Sequence, residues 1–137
     1  MGTRGTTRRK ILDLAENLLQ QLGYNGFSYH HLSSALGIKN AAIHYHFPSK
    51  EDLGMEIIDR TKDRFYKWVN HPENRILPAK DQLDWFIKIY QYNLHTGNRV
   101  CLIGALATDY YTLPPTMQNA INQLSGDIQK WVARVLD

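Results

Sequence analysis

The stretch from Ser28 to Leu53 constrains this chain most, because its punctuation admits little except short helices. Ser28 is an N-cap residue ahead of a helix that reaches Ala35, with Leu32, Ala35 and Leu36 spaced to face inward. Gly37 then stands where a tight helix–helix turn requires a positive φ. Ile38 and Ile43 pin a second short helix to the first. Pro48-Ser49 breaks that helix and starts a third, with Ser49 and Asp52 at capping-box spacing, although Asp is shorter than the usual Glu or Gln. The middle helix displays Lys39, Asn40, His44, Tyr45 and His46, and Lys50 lies just beyond it. Such polar, planar or cationic groups suit phosphate oxygens and base edges, on an element narrow enough for a major groove.

The remainder also reads as helix. Ile11, Leu12, Leu14, Ala15, Leu18, Leu19 and Leu22 form a 3.6-residue stripe over residues 8–22, with Thr6 or Thr7 as cap and Gly23 as terminator. Leu53, Ile57, Thr61, Phe65 and Trp68 follow one face of a long helix from Ser49 to Val69, and residues 70–74 are a break. Further helices are predicted across Leu83 to Leu94, from Val100 to Tyr110, and from Thr116 to Leu136. No run of alternating β-branched residues interrupts them. The fold class is therefore all-α: a three-helix N-terminal bundle with a helix-turn-helix, then a helical second part.

Composition narrows the function. No apolar run approaches the ~20 residues of a membrane span. A single cysteine, Cys101, excludes an internal disulfide framework and suits a reducing, cytoplasmic compartment. Residues 1–50 carry six Lys/Arg against two Asp/Glu, a balance of +4, whereas residues 71–137 carry six of each and balance to zero. A basic front on a neutral body points one end at a polyanion. Met1-Gly2 with Thr6 formally fits a myristoylation pattern, but Arg4, Arg8, Arg9 and Lys10 beside a helix start have a simpler use on DNA, with a frayed basic tail as the alternative.

The order of pieces resembles the TetR family of bacterial one-component transcriptional regulators. The resemblance rests on Ile11-Leu12, Ala15, Gly23-Tyr24, Phe27-Ser28, Leu32, Ala35, Leu36-Gly37-Ile38, Ile43-His44-Tyr45-His46-Phe47 and Ser49-Lys50-Glu51-Asp52-Leu53. It covers about residues 5–65 and implies a DNA-binding domain over 1–65, with its motif at about 28–47. Residues 66–137 would then form a helical ligand-sensing and dimerisation domain. The resemblance implies that Tyr45, His46 and Lys50 hold phosphates, that Ser28 and Tyr29 sit where a hydroxyl usually meets a phosphate, and that Lys39, Asn40, Ala41, Ala42 and His44 face the bases. Tyr29 departs from the pattern by replacing a small or branched residue. The chain also stops at or near an eighth helix, where the family usually adds another to a four-helix dimer interface, so the sensor region is expected to be a shortened one.

Each candidate has an ordinary alternative. Lys39, Asn40, His46 and Lys50 would otherwise be solvated surface groups, and Tyr45 would pack beneath Phe47. Ala41 and Ala42 permit close approach to a duplex or touch a thymine methyl. His30 and His31 are adjacent, and His44 and His46 are two apart, so neither pair can ligate one metal; no metal and no cofactor is expected. Aromatic residues at helical spacing are usually core, but their density suits an apolar cavity, with Trp85, Tyr90, Tyr92 and Tyr110 as its lining. Cys101 is a candidate sensor, Arg99 being near enough in sequence to favour a thiolate; a buried structural thiol is the alternative. Nothing has the spacing of a catalytic motif, so an enzyme is not expected. The expected partners are a palindromic double-stranded operator, a second copy of the chain and a small-molecule effector, with no membrane. The rival reading is a shortened helical interaction module without operator binding of its own.

Overall fold

A computed structural model describes residues 3–137, except the side chains of Thr3 and Arg4. The expectations for Met1-Gly2 and Arg4 lie outside the described residues. Within them the chain is helical throughout and no strand occurs.

Helix α1 (Thr3–Leu22) buries Ile11, Leu12, Ala15 and Leu19 along its stripe. It starts ahead of Thr6 and Thr7, which are therefore interior residues rather than caps. Gly23 ends it at φ 81°, donating its N–H to the Leu19 carbonyl at 2.8 Å. Helix α2 (Tyr29–Leu36) follows a short 3₁₀ turn and stops at Gly37, whose φ of 66° and ψ of 32° are left-handed; open space around its Cα makes backbone conformation the reason for glycine. Leu32 is buried as expected, but Ala35 is exposed because the short helix turns only a narrow strip inward. Helix α3 (Asn40–His46) buries Ile43 and runs into Phe47, which is 1% exposed. Helix α4 (Lys50–Val69) starts with the anticipated box: Ser49 N–H donates to Asp52 Oδ2 at 3.1 Å, and Asp52 N–H donates to Ser49 Oγ at 3.1 Å.

The break at residues 70–74 contains one helical turn, α5 (Pro72–Arg75), which the proline pre-sets and the His71 ring caps by accepting from Glu73 N–H at 3.3 Å. Helix α6 (Ala79–His95) ends at a turn where Gly97 and Asn98 both take positive φ. Helix α7 (Leu102–Thr108) is shorter than its apolar run, because Cys101 is extended and caps it, while Val100 N–H is donated to the Gln20 carbonyl of α1 at 3.2 Å. Helix α8 (Pro115–Leu136) closes the chain and buries Met117, Ile121, Leu124 and Trp131.

One apolar cluster runs from Ile11 through Leu32, Ile43, Phe47 and Leu53 to Leu106, Met117 and Ile121. Helix α4 passes through the expected boundary at residue 65 and packs on α1 and α8 along its length. Gly54 permits that approach: a Cβ there would stand 2.6 Å from Met117 Cε and 3.3 Å from the Tyr24 ring.

Candidate nucleic-acid interface

Two short helices present the interface, and their caps and apolar residues aim it. Ser28 N–H donates to His31 Nδ1 at 2.9 Å, which closes the α2 N-terminus. On α3, Ile43 and then Phe47 point into the core, while Asn40 at the helix start and Ala41, His44 and Tyr45 are exposed. Lys39 and Ser28 are exposed beside them, and His46 is half-buried with its ring edge-on to Tyr45 at 5.1 Å. Tyr45 keeps 58% exposure, a large value for an aromatic residue.

Three of the anticipated residues are also tied to the protein. The Tyr29 hydroxyl donates to the Phe47 carbonyl at 2.9 Å, and its ring lies 4.7 Å from that of His44. Burial, with the negative charge of Asp52 adding to it, pushes the Tyr29 phenol well above its ordinary range. His44 Nδ1 lies 3.3 Å from the Pro48 carbonyl, and because a carbonyl only accepts, the ring proton belongs on Nδ1. Lys50 differs most from expectation. Its ammonium turns inward to the carbonyls of Tyr24 and Phe27 and lies over both rings, 4.6 and 4.4 Å from their centroids. Burial draws its pKa down, while Asp109 acts in the opposite direction. The cause is local: the loop from Gly23 to Phe27 leaves two carbonyls without helical partners beside the α4 N-terminus. Arg8 is likewise engaged, 2.7 Å from Glu56 and 4.8 Å from the centre of the Phe47 ring. It joins α1, α4 and the end of α3, whereas Arg9 and Lys10 are exposed.

Behind this surface lies a cavity of about 520 Å³ between α1, α4, α6, α7 and α8. Of the five residues named from the sequence, Tyr90, Tyr92 and Cys101 line this cavity; Trp85 and Tyr110 do not. Trp85 is 53% exposed with Lys88 over its ring, and the Tyr110 hydroxyl instead accepts from Asn122 Nδ2 at 2.7 Å. Burial raises the Tyr90 phenol, the neighbouring Cys101 sulfur adding to it. Cys101 caps α7 by accepting from Gly104 N–H at 3.3 Å. The Arg99 guanidinium is directed to the Thr96 carbonyl, at 2.9 Å, and to Asn17. Glu16, Gln20 and Arg64 also line the cavity, and the sequence offered no apolar signal that would have found them. Glu16 and Arg64 pair across α1 and α4 at 2.8 Å, with Arg60 joining from the next turn. Among the described residues, no three His, Cys, Asp or Glu converge as a metal site would need, and no helix is long and apolar enough to cross a membrane.

Residues 11–57 match the sequence profile of the bacterial regulatory proteins of the tetR family. The chain is similar to a TetR transcriptional regulator from Legionella pneumophila, with 37% identity and a TM-score of 0.82 over 93% of this chain and 69% of that one. It superposes on a TetR-family regulator from Agrobacterium tumefaciens with a TM-score of 0.89 at 28% identity, covering 98% of this chain and 71% of that one. Over 67 residues, 47% of this chain and 36% of the relative, it is 30% identical to IcaR of Staphylococcus epidermidis, the negative transcriptional regulator of a biofilm operon.

Proposed function

The chain belongs to the TetR family of bacterial transcriptional regulators, so it is a DNA-binding regulator and not an enzyme; from that premise we propose a ligand-responsive repressor that binds a palindromic operator as a dimer. The observation that carries this reading is the exposed side of α3, where Lys39, Asn40, Ala41, His44 and Tyr45 stand clear of the core. Lys39 and Tyr45, with Ser28 and His46 at the flanks, would hold phosphates, while Asn40 and His44 would meet base edges and Ala41 would let the backbone come close. Tyr29 and Lys50 would act one step back, holding α3 and the loop behind it in register. Residues 1–65 would read DNA and residues 66–137 would sense and dimerise.

Each finer claim has its own support. The name of IcaR, a negative regulator, favours repression. Trp85 on one flank of α6, and Ile87 with Leu94 on the other, leave apolar residues exposed, which favours a second copy of the chain as cover. The cavity favours a small molecule, since about 300–1,000 Å³ is the usual range for such sites. A two-fold pair would set two α3 helices ~34 Å apart, one turn of DNA.

Selection from random duplexes, followed by titration at increasing salt, tests the proposal. An inverted repeat with half-sites about 10 base pairs apart is expected, and log K should fall against log salt by about 0.9 per phosphate held. Selection of no common sequence, or binding indifferent to salt, would overturn it.

A further inference from the structure

We propose that the cavity takes a small amphipathic anion, its apolar body against Phe65, Trp68 and Phe86 and its carboxylate, or an equivalent group, on Arg99 and Arg64. This rests on the ligand-responsive reading above and adds the chemistry of the ligand and its route of action.

The charged lining consists of two guanidiniums, Arg64 and Arg99, against one carboxylate, Glu16. That carboxylate is already occupied. Its Oε1 accepts from Arg64 at 2.8 Å, and its Oε2 accepts from Arg64 and from Arg60, each at 3.2 Å. With only 12% of its side chain exposed, Glu16 has little capacity left for a ligand cation. Arg99 is in the opposite condition. Its Nε donates to the Thr96 carbonyl and its Nη1 to Asn17, which leaves Nη2, with two donors, lacking an acceptor among the described residues. A guanidinium edge with spare donors at an aromatic wall recognises a carboxylate in preference to an alcohol or an ammonium.

The placement also supplies a route to the reading surface. Glu16 and Asn17 belong to α1, which packs directly on α2, whereas Arg64 belongs to α4. An anion seated between the two arginines competes with Glu16 for Arg64. The tie between α1 and α4 then loses its Arg64 pair and keeps those of Arg60 with Asp13 and Glu16 and of Arg8 with Glu56, so α1 loosens at its cavity end without any relay through distant helices.

Quenching of tryptophan fluorescence, with Trp68 in the wall as reporter, distinguishes the chemistries when the protein is titrated with decanoate, 1-decanol and decyltrimethylammonium. Decanoate should bind saturably and at least ~10-fold more tightly than either analogue, the worth of one charge-assisted bond pair. Arg99→Gln should reduce decanoate affinity ~10-fold and leave 1-decanol binding unchanged, which also shows that the cavity persists in the variant. Glu16→Gln removes the competitor, so decanoate should bind several-fold more tightly; a carboxylate that merely held the wall together would give weaker binding of all three probes. Equal or tighter binding of the alcohol or the cation, no binding of any probe, or weaker decanoate binding in Glu16→Gln overturns the anion assignment. Operator release is read separately. Decanoate binding that leaves operator affinity unchanged upholds the site and defeats both the route and the ligand-responsive reading. Release by the alcohol or cation alone upholds ligand response and defeats the anion.

Discussion

Helices α3 and α6 are each held to the molecule from one side, yet their outer sides differ in kind. The surface of α3 exposes Asn40, Ala41, His44 and Tyr45, while α6 exposes Trp85 on one flank and Ile87 with Leu94 on the other, and α6 has no buried residue at all. The difference separates two economies of a surface. Polar groups on α3 are satisfied by water until phosphates replace it, so that surface needs no protein cover. The exposed apolar residues of α6 forgo roughly 25 cal/mol for every square ångström left in water, so that element gains from further cover. Anchoring depth follows the same division, since α3 is fixed by Ile43 and Phe47 in the main core, whereas α6 reaches inward only through half-buried residues such as Phe86 and Tyr90.

Truncation would break this comparison most directly. Phe47→Ala should cost about 3–5 kcal/mol in denaturant unfolding, and Trp85→Ser under about 0.5 kcal/mol in the same assay; similar losses at both sites would erase the distinction. Next in size is Lys50→Gln. Loss of the ammonium leaves the Tyr24 and Phe27 carbonyls unsatisfied, so stability should fall by about 1–3 kcal/mol. Operator affinity weakened at undiminished stability would instead return Lys50 to the phosphate-holding role its position in the sequence suggests. The smallest effect belongs to Tyr29→Phe, which removes the hydrogen bond to Phe47 and about 1 kcal/mol. Because the folded phenol has a raised pKa, its contribution is whole below pH ~10 and is lost above that, as the unfolded chain sheds its proton first. The variant should therefore lose stability less steeply than the parent between pH 10 and the onset of alkaline unfolding, a comparison made by thermal melts at stepped pH.

The two ends of the chain were unequally legible. From Ser28 to Asp52 the signals are local: a cap, a left-handed glycine, a proline break and a capping box each act within four residues, and each is found in place. Chain direction at Thr6 and Thr7 misled, because a helix start with several hydroxyls offers several equivalent caps. In the second part, Tyr90, Tyr92 and Cys101 were recognisable as cavity lining by their apolar or soft character, but Trp85 and Tyr110 were indistinguishable from them by type. For the three on α6 the rotation of that helix as it packs on α8 decided which turned inward, whereas Cys101 and Tyr110 were placed by the turns at the two ends of α7. The charged lining carried no sequence signal, since Glu16 and Arg64 are 48 residues apart and each looks like a solvated surface group.

Periodicity and capping by themselves determined that this chain is helical, where α2 and α3 begin and end, and which side of α3 faces out, because those interactions span less than two helical turns. Only the tertiary arrangement decided that Lys50 serves two carbonyls, that Arg8 spans three helices, and that a carboxylate from α1 closes a cavity against α4. Such pairings depend on how helices cross, and crossing is set by close approaches such as Gly54 against Met117, which no local pattern encodes.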